Sequence, residues 1–166
     1  MNLPARALIA LGSNLGNPLL NLREALAEMN PSLGLLQKVS RFYRTRPVGG
    51  PPQDDFLNAV AILETTCSPE LLLQGLLGIE QKMGRIREIK WGPRLIDLDL
   101  IFFEQEIRKT SPLTLPHPLA HERLFVLEPA VEIAPDWRHP LLKKTLSELL
   151  QDFVYATSFH KQESHL

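Results

Sequence analysis

The sequence predicts an α+β fold of the ferredoxin-like kind: a βαββαβ antiparallel sheet with helices on one face and C-terminal additions. Three observations carry that expectation. Two segments open as helices do, with a capping residue followed by proline, at Asn17-Pro18 and Ser68-Pro69. Short apolar runs precede, separate and follow them. Between two of those runs lies Arg46 to Asp55, too rich in proline and glycine for regular structure and suited to a loop between antiparallel strands.

Residues Arg6 to Leu11 read as a buried strand ending at Gly12-Ser13-Asn14. That turn lacks the Lys-Ser/Thr ending of a nucleotide P-loop, so it is taken as structural. Asn17 caps the first helix, whose apolar residues Leu19, Leu22, Ala25, Leu26 and Met29 recur at helical spacing until Pro31. Leu36 to Thr45 is a strand, with Val39, Phe42 and Tyr43 supplying β propensity, and Phe56 to Glu64 is the next. The second helix runs from Ser68 to Gly84 through Leu72, Leu73, Leu76, Ile79, Glu80 and Met83. A basic segment, Arg85 to Arg94, leads into a strand from Leu95 to Phe103, with Glu106 to Arg108 as a short hairpin partner. Arg123 to Ile133 reads as helical despite Pro129, and Thr145 to Phe153 as a last amphipathic helix. The polar tail from Ser158 is expected to fray.

With 166 residues the chain is expected to be one domain, 1–166, with 158–166 as the tail. A 44% hydrophobic, 22% charged composition with net charge -1 gives no overall bias towards nucleic acid or membrane. The sole cysteine, Cys67, excludes an intrachain disulfide and a Cys-rich zinc site. No signal peptide is visible and no apolar run approaches the roughly 20 residues of a membrane span. A cytoplasmic protein is expected, and a monomer is compatible with all of this.

The chemistry centres on Ile96-Asp97-Leu98-Asp99-Leu100. Strand alternation sends Asp97 and Asp99 to one face and the aliphatics to the other. The bland reading is a strand with one solvated face. Two carboxylates are also a sufficient protein contribution to Mg²⁺, which takes one or two of them plus waters and substrate phosphates. Their neighbours favour the second reading. Arg85, Arg87, Lys90 and Arg94 crowd the upstream segment, where Glu88 is the one acid, and Trp91-Gly92-Pro93 bends the chain between the two charge sets. Guanidinium groups bind phosphate oxygens through paired donors.

Further along, His117 is held between two prolines in Leu115-Pro116-His117-Pro118, followed by Arg123 as a phosphate clamp and Phe125 as an aromatic face. Phe56 and Asn58 share one strand face, placing a stacking surface beside an amide that presents both a donor and an acceptor. Alone, each of these groups is as well explained by core packing or solvent exposure. A rival enzyme class is an aspartate-based Mg-dependent phosphatase; Leu100-Ile101-Phe102-Phe103 after Asp99 lacks the polar residue expected there. A ferredoxin-like RNA- or ligand-binding module is the non-enzymatic rival, but two acids on its sheet would repel phosphate unless metal intervened.

With these residues assembled, the chain resembles the 6-hydroxymethyl-7,8-dihydropterin pyrophosphokinase family. The resemblance runs from Ala7 to about Pro140. It is carried by Leu11-Gly12-Ser13-Asn14-Leu15-Gly16, Tyr43-Arg44-Thr45-Arg46-Pro47-Val48-Gly49, Phe56-Leu57-Asn58-Ala59-Val60 and Gly84-Arg85-Ile86-Arg87. Trp91-Gly92-Pro93-Arg94 with Asp97-Leu98-Asp99, then Pro116-His117-Pro118 and Arg123-Leu124-Phe125-Val126-Leu127, complete the set. The resemblance implies transfer of pyrophosphate from ATP to a pterin's hydroxymethyl oxygen, with release of AMP, in folate biosynthesis. It implies that Asp97 and Asp99 hold two Mg²⁺ ions bound with ATP. Arg85, Arg94, His117 and Arg123 would contact the phosphates, with Glu80, Arg87 and Leu100 on the nucleotide side. Phe56 and Phe125 would sandwich the pterin, Asn58 with the chain at Thr45, Pro47 and Val48 would read its edge, and Trp91 would close over both substrates.

Overall fold

The computed structural model describes residues 3–84 and 91–163, with 159–163 described by backbone alone. Five strands form one antiparallel sheet: β1 (Ala5–Ser13), β2 (Leu35–Val39), β3 (Tyr43–Thr45), β4 (Phe56–Thr65) and β5 (Asp97–Phe103). They are ordered β2-β4-β1-β5, with β3 also on β4. A two-stranded ribbon, β6 (Arg108–Lys109) and β7 (Thr114–Leu115), follows. The helices are α1 (Pro18–Met29), α2 (Pro69–Lys82), α3 (Leu124–Ile133) and α4 (Leu146–Glu163), with a 3₁₀ turn at Ala120–Glu122 before α3.

Both predicted caps are made. The side chain of Asn17 accepts from Leu20 N and that of Ser68 from Leu71 N, each with proline opening the helix. A cap of this kind contributes about 1 kcal/mol. The central strands β1 and β4 are apolar on both faces, because helices cover both. Ala7, Ile9 and Leu11 pack with Ala59, Ala61 and Leu63 against Leu22 and Met29 of α1 and Leu72 and Leu76 of α2. Leu8, Ala10, Val60 and Ile62 face the other way, onto Val126, Leu127 and Ala130 of α3 and Leu146 and Leu149 of α4. The C-terminal additions are therefore not appendages to a one-sided sheet; α3 and α4 form its second layer. Periodicity shows that a helix has an apolar side but not which sheet face it meets, so this went beyond the sequence reading.

The expected hairpin partner Glu106 to Arg108 does not pair with β5; Arg108 and Lys109 pair with Leu115 and Thr114 of β7 instead. Two further boundaries differ from expectation for local reasons. The predicted strand Leu36 to Thr45 is two strands, broken at Ser40. There Ser40 Oγ accepts from Val60 N (2.9 Å) and donates to Arg41 O (2.8 Å), taking over ladder bonds with its side chain. The last helix runs well past Phe153 to Glu163, since neither proline nor glycine interrupts it, and the tail expected to fray from Ser158 is helical to that point.

The face carrying Ala10, Gly12, Asn58 and Asp99 is covered by α3 and α4 only over its lower part. At the end of the sheet where β1 finishes and β5 begins it lies open, and the candidate site forms there.

Candidate active site

Strand register puts the first groups in place. Gly12 on β1 pairs with Asn58 on one side and Asp97 on the other, so the three lie in one row across β4, β1 and β5. Ala10 pairs with Asp99 one step further in. Neighbouring strands are about 4.8 Å apart, so amide and carboxylate stand roughly 10 Å apart on one face. Only a residue without a side chain keeps that row open: a Cβ on Gly12 would lie 2.9 Å from Asn58 Oδ1. Asn58 is buried, and its Nδ2 donates to Thr45 Oγ1 on β3.

These residues floor a cleft of about 930 Å³. Its lining includes Thr45, Pro47, Val48, Phe56, Trp91, Arg94, Asp97, Asp99, His117, Arg123 and Phe125. Twelve positions singled out from sequence, those eleven and Asn58, thus line a single cavity although they come from five separate segments. Glu80 and Leu100 do not line it. Leu100 is in the core against α1 and α2, and Glu80, 2% exposed, accepts through Oε2 from Leu98 N (2.9 Å), tying α2 to the edge of β5 away from β1. Arg85 and Arg87, with Lys90, lie outside the described residues.

His117 is delivered by a bulge. At the Leu8/Ile9 register shift Ile101 has no partner on β1, and its carbonyl accepts His117 N (2.9 Å). His117 Nδ1 accepts from Leu119 N (3.2 Å), so in the neutral ring the hydrogen sits on Nε2. Burial foremost, then the positive charge of Arg123, pushes its pKa down to about 4, with Asp97 pulling the other way. The imidazole is therefore a neutral hydrogen-bond donor at neutral pH. The unfolded ring titrates near 6.5, so between about pH 6.5 and 4 the unfolded chain binds a proton that the folded chain does not. Stability therefore falls as pH is lowered through that window, and is recovered as pH rises towards 6.5. His117→Gln is expected to flatten this part of the profile, measured as urea midpoints at pH 7 and pH 5; an unchanged slope would contradict the assignment.

Arg123 stands at the start of α3 with its guanidinium 5.5 Å from the Phe125 ring centre. That contact holds the cation at a helix N-terminus, where backbone N–H groups also favour anions.

Asn14 was read from sequence as part of a structural turn, and the structure makes it a junction. It is 4% exposed; its Oδ1 accepts from Arg94 N (2.7 Å), and its Nδ2 donates to Gln53 Oε1 and Asp54 O (both 2.9 Å). Gln53 Nε2 in turn donates to Trp91 O (2.8 Å). Gly50, at φ 76°, lies so close to the Trp91 carbonyl that no side chain would fit. The Pro/Gly loop, the end of β1 and the Trp91–Arg94 bend are thus one hydrogen-bonded unit. Tyr43, Arg46, Glu122, Glu128 and Phe153 also line the cleft and were not singled out. Tyr43 and Arg46 carried a signal, flanking Thr45 in the Tyr-Arg-Thr-Arg-Pro run. Phe153, far away in sequence, carried none.

Two carboxylates on one strand face, Arg94 and Arg123, and Phe56 and Phe125 line one cleft. The chain belongs to the 7,8-dihydro-6-hydroxymethylpterin-pyrophosphokinase (HPPK) family, whose model matches residues 8–135. It is 47% identical over 146 residues to the 2-amino-4-hydroxy-6-hydroxymethyldihydropteridine pyrophosphokinase of Synechocystis, covering 87% of this chain and 74% of that one. To the protein of the same name from Haemophilus influenzae it is 42% identical over 149 residues, covering 89% and 92%. Among solved structures, a Plasmodium falciparum HPPK-DHPS with pterin and p-hydroxybenzoate matches with a TM-score of 0.79 at 18% identity, over 100% of this chain and 45% of that one. The chain thus spans less than half of that protein, and at this identity the likeness concerns the fold.

Proposed function

We propose that this chain is an ATP-dependent diphosphotransferase that moves the pyrophosphoryl group of ATP onto the hydroxymethyl oxygen of 6-hydroxymethyl-7,8-dihydropterin, releasing AMP, in folate biosynthesis. The observation that carries the reading is the Asn58–Gly12–Asp97 row, which sets a ring-reading amide and a carboxylate about two strand spacings apart, the scale of a bicyclic ring with its hydroxymethyl arm. Membership of the HPPK family supports it. In the balanced reaction the hydroxymethyl oxygen bonds to the β-phosphorus and loses its proton to water, the bond from that phosphorus to the oxygen bridging it to the α-phosphorus breaks, and AMP leaves on that oxygen.

Asp97 and Asp99 would hold two Mg²⁺ ions. Both are oxygen donors on the cleft face of β5, and no group of three or more candidate ligands occurs among the described residues. Two carboxylates suit a cation that completes its shell with water and substrate phosphates. The metal would supply charge neutralisation of the phosphates. The remaining work is positioning. Arg94, Arg123 and the Nε2–H of His117 bind phosphate oxygens, with Arg85 assigned the same task. Glu80, Arg87 and Leu100 belong to the nucleotide side, Glu80 and Leu100 through the strand and helix they fix rather than through the cleft wall. Phe56 and Phe125 stack on the ring, and Asn58 and the chain at Thr45, Pro47 and Val48 read its edge. Trp91, with its carbonyl held by Gln53, caps both substrates and excludes water.

The same reading takes the chain as one pyrophosphokinase domain, compatible with a monomer and cytoplasmic, with a strand order that follows the ferredoxin-like plan. No helix of the described residues is long and apolar enough to cross a membrane.

Gly12→Ala separates ring reading from folding. The Asn58 amide can rotate away from the new methyl, so the melting temperature should fall by no more than about 2–4 °C. KM for the pterin should rise about tenfold, the worth of one well-placed hydrogen bond. An unchanged KM would show that the amide does not read the ring. The reading as a whole is tested by nucleotide analysis: with ATP and Mg²⁺, AMP should form only when the hydroxymethylpterin is present, and chelation should stop it. ADP as product, or AMP formation indifferent to the pterin, would overturn it.

A further inference from the structure

We propose that Glu132, on the outer side of α3, is a positioning residue for the ring-reading half of the cleft, acting through Tyr43 and Thr45 on Asn58; the inference rests on the pterin reading above. Strand β3 is only Tyr43–Thr45, and among the described residues its one sheet partner is β4. Within that short ladder Tyr43 pairs with Asn58 and Thr45 with Phe56. The Thr45 hydroxyl accepts the Asn58 amide hydrogen. Beyond the pairing of Asn58 with Gly12 on β1, the Asn58 amide and the backbone at Phe56 are thus held by a three-residue edge strand that precedes a Pro/Gly loop.

One carboxylate fastens that strand from outside the sheet. Glu132 Oε1 accepts the Tyr43 hydroxyl (2.5 Å), and Arg41 N donates to Oε2 (3.0 Å) and Oε1 (3.2 Å). Arg41 Nε adds a contact at 3.3 Å, but that side chain is 81% exposed, so the ion pair contributes little beside the phenol and the backbone N–H. Burial acts to raise the Glu132 carboxyl, but the bonds from Tyr43 and Arg41 together outweigh it and hold the carboxyl below the usual range, while the Tyr43 hydroxyl is pushed up by its bond to Glu132. Both shifts keep the phenol as donor and the carboxylate as acceptor at neutral pH. Glu132 belongs to the helix whose first turn carries Phe125, and Tyr43 itself lines the cleft. The clamp therefore joins the strand beside Phe56 and Asn58 to the helix that carries Phe125.

The clamp's hydrogen bonds run from Tyr43 and Arg41 to Glu132 and from Asn58 to Thr45, on the ring-reading side of the cleft. Loss of the clamp should separate the two substrates in steady-state kinetics with ATP and hydroxymethylpterin. Glu132→Ala is expected to raise KM for the pterin about tenfold, leave KM for ATP within about twofold and lower kcat by no more than about threefold. Tyr43→Phe, which keeps the ring in the wall, should reproduce most of the pterin effect. Glu132→Gln, whose amide oxygen still accepts, should fall between wild type and Glu132→Ala. Equal changes in both KM values, no change in either, or Glu132→Gln as impaired as Glu132→Ala would overturn the inference. Wild-type protein that formed AMP with the pterin while Glu132→Ala kept its KM would overturn this inference alone; wild-type protein that formed none would overturn the functional reading with it.

Discussion

Asp99→Asn and Asp97→Asn are each expected to lower turnover by roughly three orders of magnitude, about 4 kcal/mol of barrier, while pterin affinity changes by less than about threefold. The substitution is nearly isosteric on a strand whose opposite face, Leu98 and Leu100, is locked in the core, so the sheet should be unaffected. What is lost is charge. A neutral amide is a weaker ligand for a hard cation and leaves the phosphates less neutralised. Turnover should therefore be measured across a Mg²⁺ titration, with pterin binding followed separately by calorimetry. Wild-type turnover in either variant would place the metal elsewhere. Loss of pterin binding in step with turnover would assign the aspartates to the ring.

Arg94→Ala should be the next most damaging change, with kcat down by about 10²–10³-fold, the usual scale for removing one donor to developing charge. The backbone at Arg94 is fixed twice over: its N–H bonds Asn14 Oδ1 at 2.7 Å, and its carbonyl accepts from Asn14 N at 2.9 Å and Leu15 N at 3.2 Å. Those bonds survive truncation of the side chain, so the variant should fold and retain the junction of the three loops. Arg94→Lys should recover only part of the activity, because an ammonium group lacks the planar pair of donors. A variant with normal kcat and a raised KM for ATP would show that Arg94 contributes to binding ATP without favouring the transition state.

Much of the site was legible because its residues obey local rules. Alternation alone put Asp97 and Asp99 on one face, and the same rule joined Phe56 to Asn58. Proline after a capping residue marked both N-terminal helices at the positions the structure gives them. What escaped was set by contacts distant in sequence. Nothing near Asn14 indicates that it bonds Arg94, Gln53 and Asp54, since an asparagine after Gly-Ser is an ordinary turn residue. Glu80 looks like one more acid on a helix until Leu98 N is found against it. Ser40 breaks a strand with a hydroxyl that propensity does not register. The placement of α3 and α4 on the second sheet face, which encloses the aspartates in a cleft, follows from which apolar stripe meets which strand, and one sequence does not encode that pairing in any local pattern.

In pyrophosphate transfer two phosphorus atoms move together onto the pterin. Phosphorus NMR of the pterin product tests it most directly. A pair of mutually coupled resonances on the product, with AMP as the remaining nucleotide, is the predicted result; a single resonance accompanied by ADP would contradict it.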